Sequence, residues 1–141
     1  LASAIDLGLY NWPGKLVVKG VLDAQDALTL RDAGVDAIQV SSHGSRQLDS
    51  APPPVTALAD IRQAVGPDFP LFYDTGLRSG EDVVKAFQQG ANFTFLGRVL
   101  QFAIAAAGEE GLAALWDVLK IETSITLAQI GKTSLLDDLE N

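Results

Sequence analysis

At 141 residues the chain is long enough for one hydrophobic core but shorter than the roughly 250 residues of a typical α/β barrel. A net charge of −8 excludes a general affinity for nucleic-acid phosphates, and 48% hydrophobic with 20% charged residues excludes a disordered chain. No run approaches the ~20 apolar residues of a membrane span, no signal peptide is visible, and the lack of cysteine removes disulfide and thiolate chemistry, leaving the cytoplasm as the default compartment. The chain opens on Leu1 and contains no methionine, so removal of upstream sequence is expected.

After a lead-in over residues 1–14, the apolar run Leu16-Val17-Val18 predicts a strand ending at Lys19-Gly20. Asp23, with Asp26 three residues on, is the N-cap of a helix in which Ala24, Ala27, Leu28 and Ala33 recur at near-helical spacing until Gly34 stops it. Val35 to Val40 reads as a second strand, running into Ser41-Ser42-His43-Gly44-Ser45-Arg46-Gln47-Leu48-Asp49. Pro52-Pro53-Pro54 stiffens the exit from that loop, and a helix over Val55 to Val65 ends at Gly66-Pro67. Leu71-Phe72-Tyr73 is the third strand and enters Asp74-Thr75-Gly76-Leu77-Arg78, after which Ser79 and Asp82 cap a helix that reaches Gln89-Gly90. Phe93-Thr94-Phe95-Leu96, the fourth strand, ends at Gly97-Arg98. A short Ala-rich helix over Phe102 to Ala107 and a longer amphipathic one over Glu109 to Ile130 follow, and residues 132–141 form an acidic tail. The stripe Leu112, Leu115, Trp116 and Leu119 is expected to be core packing.

Four apolar strands alternating with helices imply a parallel sheet covered by helices, an α/β fold whose ligands bind beyond the carboxyl ends of the strands. Of ten cationic residues in this acidic chain, Lys19, Arg46, Arg78 and Arg98 fall at or just beyond the four strand ends. The pattern predicts a positive cavity floor and an anionic ligand.

The only histidine, His43, follows a strand and stands three residues before Arg46. A lone histidine is more often a surface or satisfied core residue, but an imidazole in this setting suits proton abstraction at neutral pH. Arg46, otherwise a solvated loop residue, presents a planar fork that matches a carboxylate. Lys19, which could simply snorkel, is better explained as stabilising developing negative charge. Gly76 with Arg78 and Gly97 with Arg98 end consecutive strands; glycine lets backbone amides approach a phosphate, and the helix dipole and arginine add positive charge. A single Gly-Arg pair is a weak signal, and two in succession are a better one. Asp74 is expected to cap its turn or to orient backbone or a ribityl hydroxyl.

Lys19-Gly20, Ser41 to Asp49, Asp74-Thr75-Gly76-Leu77-Arg78 and Gly97-Arg98, in this order and spacing, resemble the motifs of the FMN-dependent 2-hydroxy-acid oxidase and dehydrogenase family. That family includes glycolate oxidase, lactate oxidase, L-lactate dehydrogenase, mandelate dehydrogenase and flavocytochrome b2. The segment Ala107 to Gly111 and the helix through Glu122, Thr126 and Leu127 resemble its C-terminus, so the likeness covers nearly the whole chain. It implies a single partial domain over residues 1–141, the C-terminal half of a TIM (β/α)8 barrel: four βα units plus a terminal helix. It implies FMN as cofactor and oxidation of a small 2-hydroxy acid to the 2-oxo acid. His43 would be the base, Arg46 the carboxylate clamp, and Lys19 the cation beside the flavin, with Ser41 contacting the flavin. Asp74, Thr75, Gly76, Leu77, Arg78, Gly97 and Arg98 would hold the ribityl phosphate. Oxygen, a quinone or a cytochrome would take the electrons, and the family's tendency is to form homo-oligomers, some members associating with membranes.

Ser42 stands where the family usually has Asn, Ser45 where it has Gly or Ala, Thr75 where Gly is common, and Val99 where Pro is usual. None of these changes removes a charged catalytic group. The N-terminal half of the barrel, with the aspartate that orients the histidine, is expected to be supplied from elsewhere, because four strands cannot close an eight-stranded barrel. Two other classes fit parts of the pattern. One is another phosphate- or FMN-binding barrel enzyme, which would not need the His43/Arg46 pair. The other is an inactive half-barrel that serves only as an assembly or binding module.

Overall fold

The computed structural model of the protein describes residues 11–136; the first ten residues of the lead-in and the last five of the tail lie outside the described residues. Four strands, β1 (Val17–Val21), β2 (Ala37–Val40), β3 (Leu71–Asp74) and β4 (Phe93–Phe95), form one parallel sheet in the order β1-β2-β3-β4. Among the described residues these alternate with the helices α1 (Ala24–Asp32), α2 (Pro54–Val65), α3 (Gly80–Gln88) and α4 (Arg98–Gln129), and a 3-10 turn, His43–Ser45, follows β2. The chain is an α/β protein of successive βα units, as its alternating pattern predicts.

The helix starts lie where the capping residues put them. Asp23 accepts from the amides of Gln25 and Asp26, and Ser79 accepts from that of Asp82, so each satisfies donors that a first helical turn leaves open. Gly34 closes α1 with φ +91, and the Val35 amide still donates back to Leu30, which is why β2 starts at Ala37 and not at Val35. The first strand departs in the other direction. It continues through Lys19 and Gly20 to Val21, and the pairing slips between Lys19 and Val21, leaving Gly20 as a bulge at φ +90. The Ala-rich helix begins at Arg98, a turn earlier than expected at Phe102, because the amides of Leu100 and Gln101 already donate to Gly97. The expected break between the two terminal helices is present inside α4, where Ala107 and Gly108 leave helical geometry.

One face of the sheet is a closed core. Val21, Ile38, Val40, Leu71 and Tyr73 point toward the helices and pack with Ala27, Leu30, Leu58, Ile61 and Val65. The alternate positions Val17, Lys19, Gln39, Phe72, Asp74, Phe93 and Phe95 share the other face. No described element covers it: Phe93 is 53% and Phe95 42% exposed, and with Phe72 they form an edge-to-face trio of rings. The leucine stripe of α4 also differs from expectation. Leu119 is buried where α4 crosses α3, but Leu112 is 37% and Trp116 56% exposed. The Leu119–Leu127 side meets α3, fastened by Glu122 accepting from the Gly80 amide at 2.7 Å, and Leu115 is half-buried, while Leu112 and Trp116 stay open.

Candidate functional site

The carboxyl ends of the four strands open into one hollow of about 960 Å³, lined by Lys19, His43, Arg46, Asp74, Thr75, Gly76, Leu77, Arg78, Gly97 and Arg98 among others. Ten of the eleven residues singled out from sequence thus converge on it. Ser41 does not. It is fully buried one layer below, where its hydroxyl accepts from Lys19 Nζ at 2.8 Å and from the His43 amide at 3.0 Å. It therefore holds the lysine and the start of the histidine loop.

The Gly20 bulge seats the histidine. A Cβ at Gly20 would stand 2.3 Å from His43 Cε1, so the ring lies against bare backbone that no other residue offers. No carboxylate among the described residues pairs with the imidazole, and none pairs with Arg46, Arg78 or Arg98. Three guanidinium groups without counter-ions around one cavity make it positive within a chain of net charge −8. Arg98 reaches across from α4 and donates to the Gly44 carbonyl at 3.1 Å, so the fourth strand end is fastened to the histidine loop.

Asp74 is the organising carboxylate. Its Oδ2 accepts from Lys19 Nζ and from Gln39 Nε2, both at 2.5 Å, and its Oδ1 accepts from the Thr75 hydroxyl at 2.7 Å. Burial alone would raise its pKa, but the hydrogen bonds from Lys19, Ser41 and Thr75 and the lysine's charge hold it below the ordinary carboxylate range. It stays ionised, and with Oδ2 doubly occupied only Oδ1 has room for a ligand hydroxyl. On the helix side of the same strand, burial pushes the Tyr73 phenol up to about 12, with the charges of Asp74 and Asp82 adding to it, so it is no base at neutral pH.

The two expected phosphate loops differ. The Arg78 amide already donates to Asp82 at 2.9 Å and Ser79 caps α3, so that helix start is satisfied by its own side chains. At α4 no side chain caps the helix, and the space around both Gly97 and Gly76 is open. An anion therefore meets free backbone donors at the start of α4, with the Arg78 and Arg98 side chains beside it. Leu77 lines the rim only as an anchor, since its side chain is buried in the core.

Sequence reasoning missed Gln39 and the bridging place of Thr75. Gln39 was open to detection, because an amide at an alternate position of the run Ala37 to Val40 belongs on the face opposite Ile38 and Val40. Thr75 is expected from sequence among the phosphate-holding residues, but not as a bridge; its second partner, the Gly44 amide at 3.4 Å, lies 31 residues away and depends on the fold.

Comparison with known proteins gives a consistent result. The model of the FMN-dependent dehydrogenase family matches residues 8–140. An L-lactate dehydrogenase of Bartonella tribocorum is 42% identical over 124 residues, 88% of this chain and 32% of its own length. A peroxisomal (S)-2-hydroxyacid oxidase of Arabidopsis thaliana is 42% identical over 126 residues, 89% of this chain and 35% of its own. Among solved structures, the monotopic membrane protein (S)-mandelate dehydrogenase superposes with a TM-score of 0.91 at 39% identity, covering 97% of this chain and 36% of that one. A mandelate oxidase bound to (S)-2-phenylpropionate gives 0.89 at 36% identity, covering 96% and 40%. The chain spans about a third of the length of the curated relatives it matches. On the match of its sequence to that family model over residues 8–140, the chain belongs to the FMN-dependent dehydrogenase family.

Proposed function

We propose that this chain carries the phosphate-, flavin- and substrate-binding half of an enzyme that oxidises a small 2-hydroxy acid to the 2-oxo acid. The observation that carries the reading is the gathering around one hollow of His43, Lys19 and three arginines, Arg46, Arg78 and Arg98, which have no counter-ion among the described residues. The residues fit FMN. The uncapped start of α4, the open space at Gly76 and Gly97, and the Arg78 and Arg98 side chains suit a dianionic phosphate. The hollow also suits a ligand of that size. When bound, FMN would supply the two-electron acceptor for the oxidation, with oxygen, a quinone or a cytochrome as the final acceptor.

Arg46 binds and orients the substrate carboxylate through two parallel hydrogen bonds. His43 accepts a proton from the substrate carbon or hydroxyl at an imidazole nitrogen, its ring held by the bare Gly20 backbone. Lys19, held between Ser41 and Asp74, keeps a fixed ammonium where negative charge grows during the reaction. Its partner Asp74 keeps one carboxylate oxygen partly free for a ribityl hydroxyl.

The same proposal makes the chain one partial domain, the C-terminal half of a (β/α)8 barrel. The uncovered sheet face and the coverage of about a third of each relative support it. The other half would bring a carboxylate to orient His43, and assembly into an oligomer is part of the reading. No helix among the described residues is long and apolar enough to cross a membrane, and a cytoplasmic enzyme with peripheral membrane association is the setting proposed. The test is anaerobic titration of the purified, FMN-reconstituted protein with lactate, glycolate and mandelate. Bleaching of the oxidised flavin by one of them is expected once the other half of the barrel is supplied; a flavin that binds to the completed barrel but is reduced by none would defeat the substrate assignment.

A further inference from the structure

Three residues other than glycine adopt positive φ among the described residues: His43 at 55°, Ser45 at 59° and Thr75 at 85°. All lie on the two loops that flank the hollow. Thr75 is the least suited of them, because a β-branched side chain crowds its own backbone in that region. Strain of this kind persists where surrounding contacts hold it, and here those contacts are specific. The Thr75 hydroxyl gives its one proton to Asp74 Oδ1 at 2.7 Å, so its lone pairs are left for an incoming donor, and the Gly44 amide fills that role at 3.4 Å. On the other oxygen of the same carboxylate sits Lys19. A continuous path therefore runs from the backbone beside His43, through one hydroxyl, to the lysine.

We propose that Thr75 is a positioning residue whose hydroxyl ties the His43 loop to the Asp74–Lys19 pair, so that the base and the cation keep a fixed spacing. The inference rests on the enzymatic reading above for its kinetic consequence, but the tie itself is a property of the protein without cofactor. Glycine would hold the same backbone angle with less strain, yet it has no atom with which to accept from Gly44 or to donate to Asp74.

The test compares Thr75→Gly, Thr75→Ser and Thr75→Val by melting temperature, by NMR hydrogen exchange of the Gly44 amide in the cofactor-free protein, and by steady-state kinetics of the FMN-loaded protein. Thr75→Gly releases backbone strain but gives up two hydrogen bonds, so its melting temperature is expected within about 3 °C of the wild type. Its Gly44 amide should exchange about tenfold faster and kcat should fall about tenfold, a loss equivalent to ~1.4 kcal/mol in the barrier. KM, set by Arg46, should stay within about twofold. Thr75→Ser keeps the hydroxyl and should restore both exchange and kcat to within about twofold of the wild type. Thr75→Val keeps the branch and loses the hydroxyl, so it should show the fast exchange together with a melting temperature below that of Thr75→Gly. Wild-type exchange at Gly44 in Thr75→Gly and Thr75→Val would overturn the proposal, as would a Thr75→Ser protein that behaves like Thr75→Gly. If the wild type oxidises no hydroxy acid, the functional reading fails, while the exchange comparison still decides the tie.

Discussion

Arg62 offers the clearest quantitative prediction, because it fastens the sheet at the end opposite the site. From the last turn of α2 its guanidinium donates to the carbonyls of Gly66, Pro67 and Phe69, to that of Gly90 through both Nε and Nη2, and to Asn92 Oδ1. These acceptors belong to the turns that launch β3 and β4, and Asn92 Oδ1 also accepts from the Leu71 amide at 2.8 Å. The group is half-buried, which lowers its pKa without removing its charge. These six contacts share the five N–H donors of the guanidinium, and five bonds from a charged donor at about 1.5 kcal/mol each would come to roughly 7.5 kcal/mol. The acceptors are only partly buried, so water replaces about half of that, leaving roughly 3–4 kcal/mol for Arg62→Met, which keeps the packed stem. For a chain of this length the melting temperature should fall by about 10 °C. Arg62→Lys should recover only a minor part, since an ammonium cannot span acceptors on both sides of the fork. Urea denaturation of the three proteins at equal slope measures the difference. Because no carboxylate is among the hydrogen-bond partners, the loss should be nearly the same at low and high salt. A loss under about 1 kcal/mol, or one that disappears in salt, would refute the clamp.

Gly20→Ala should leave the fold assembled, with circular dichroism unchanged in shape, but lower turnover at least ~100-fold, because the added methyl would occupy the space of the His43 ring; activity near wild type would mean that the imidazole works from another position. Arg46→Lys should raise KM for a hydroxy acid at least ~10-fold while FMN affinity, measured by flavin fluorescence, is unaffected, and equal losses of both would assign Arg46 to the phosphate instead. Ser42→Ala should stabilise the protein by ~1 kcal/mol in urea, because the Ser42 hydroxyl is the buried side-chain oxygen without a partner among the described residues; destabilisation would reveal a bonded partner. Asp74 has a folded-state pKa below its unfolded value, so its contribution to stability is present above the ordinary carboxylate range of ~3.9 and is lost as pH falls through the lower, folded value. Asp74→Asn should therefore be less stable than the wild type at neutral pH and converge with it in strong acid; a difference that persists undiminished there would show that packing, not charge, is responsible.

Most of the fold was legible because its signals are local. Asp23 and Ser79 cap the helices they precede, Gly34 and Gly66 end α1 and α2, and Gly108 breaks α4 beside the residue where the break was expected. What was not legible depends on partners distant in sequence. The extension of β1 to Val21 arises because Gly20 can bulge and so let Val21 pair with Val40. The exposure of Trp116 and Leu112 cannot be inferred from an amphipathic stripe, which says that a face is apolar but not that a neighbour covers it.

The site divides in the same way. That cations gather at strand ends followed from the period of the strands, but which of them are free to meet a ligand did not. Arg62 and Arg46 are the same residue type, and only the surroundings separate their roles. At the amino ends of β3 and β4, backbone carbonyls converge and take up every donor that Arg62 has. At the carboxyl ends, Arg46 and Arg78 line the hollow, and no carboxylate among the described residues pairs with them. A parallel sheet makes this asymmetry general: one end offers acceptors to the protein's own arginines, while the other leaves arginines and helix amides for an anion. Lys19 shows the intermediate case, paired with Asp74 yet still 43% exposed, so its charge is held in place without being sealed off from the hollow. The role proposed for Lys19 needs both properties, and the carboxylate that fixes it is itself fixed by Gln39 from the neighbouring strand β2 and by Thr75, the next residue along its own chain.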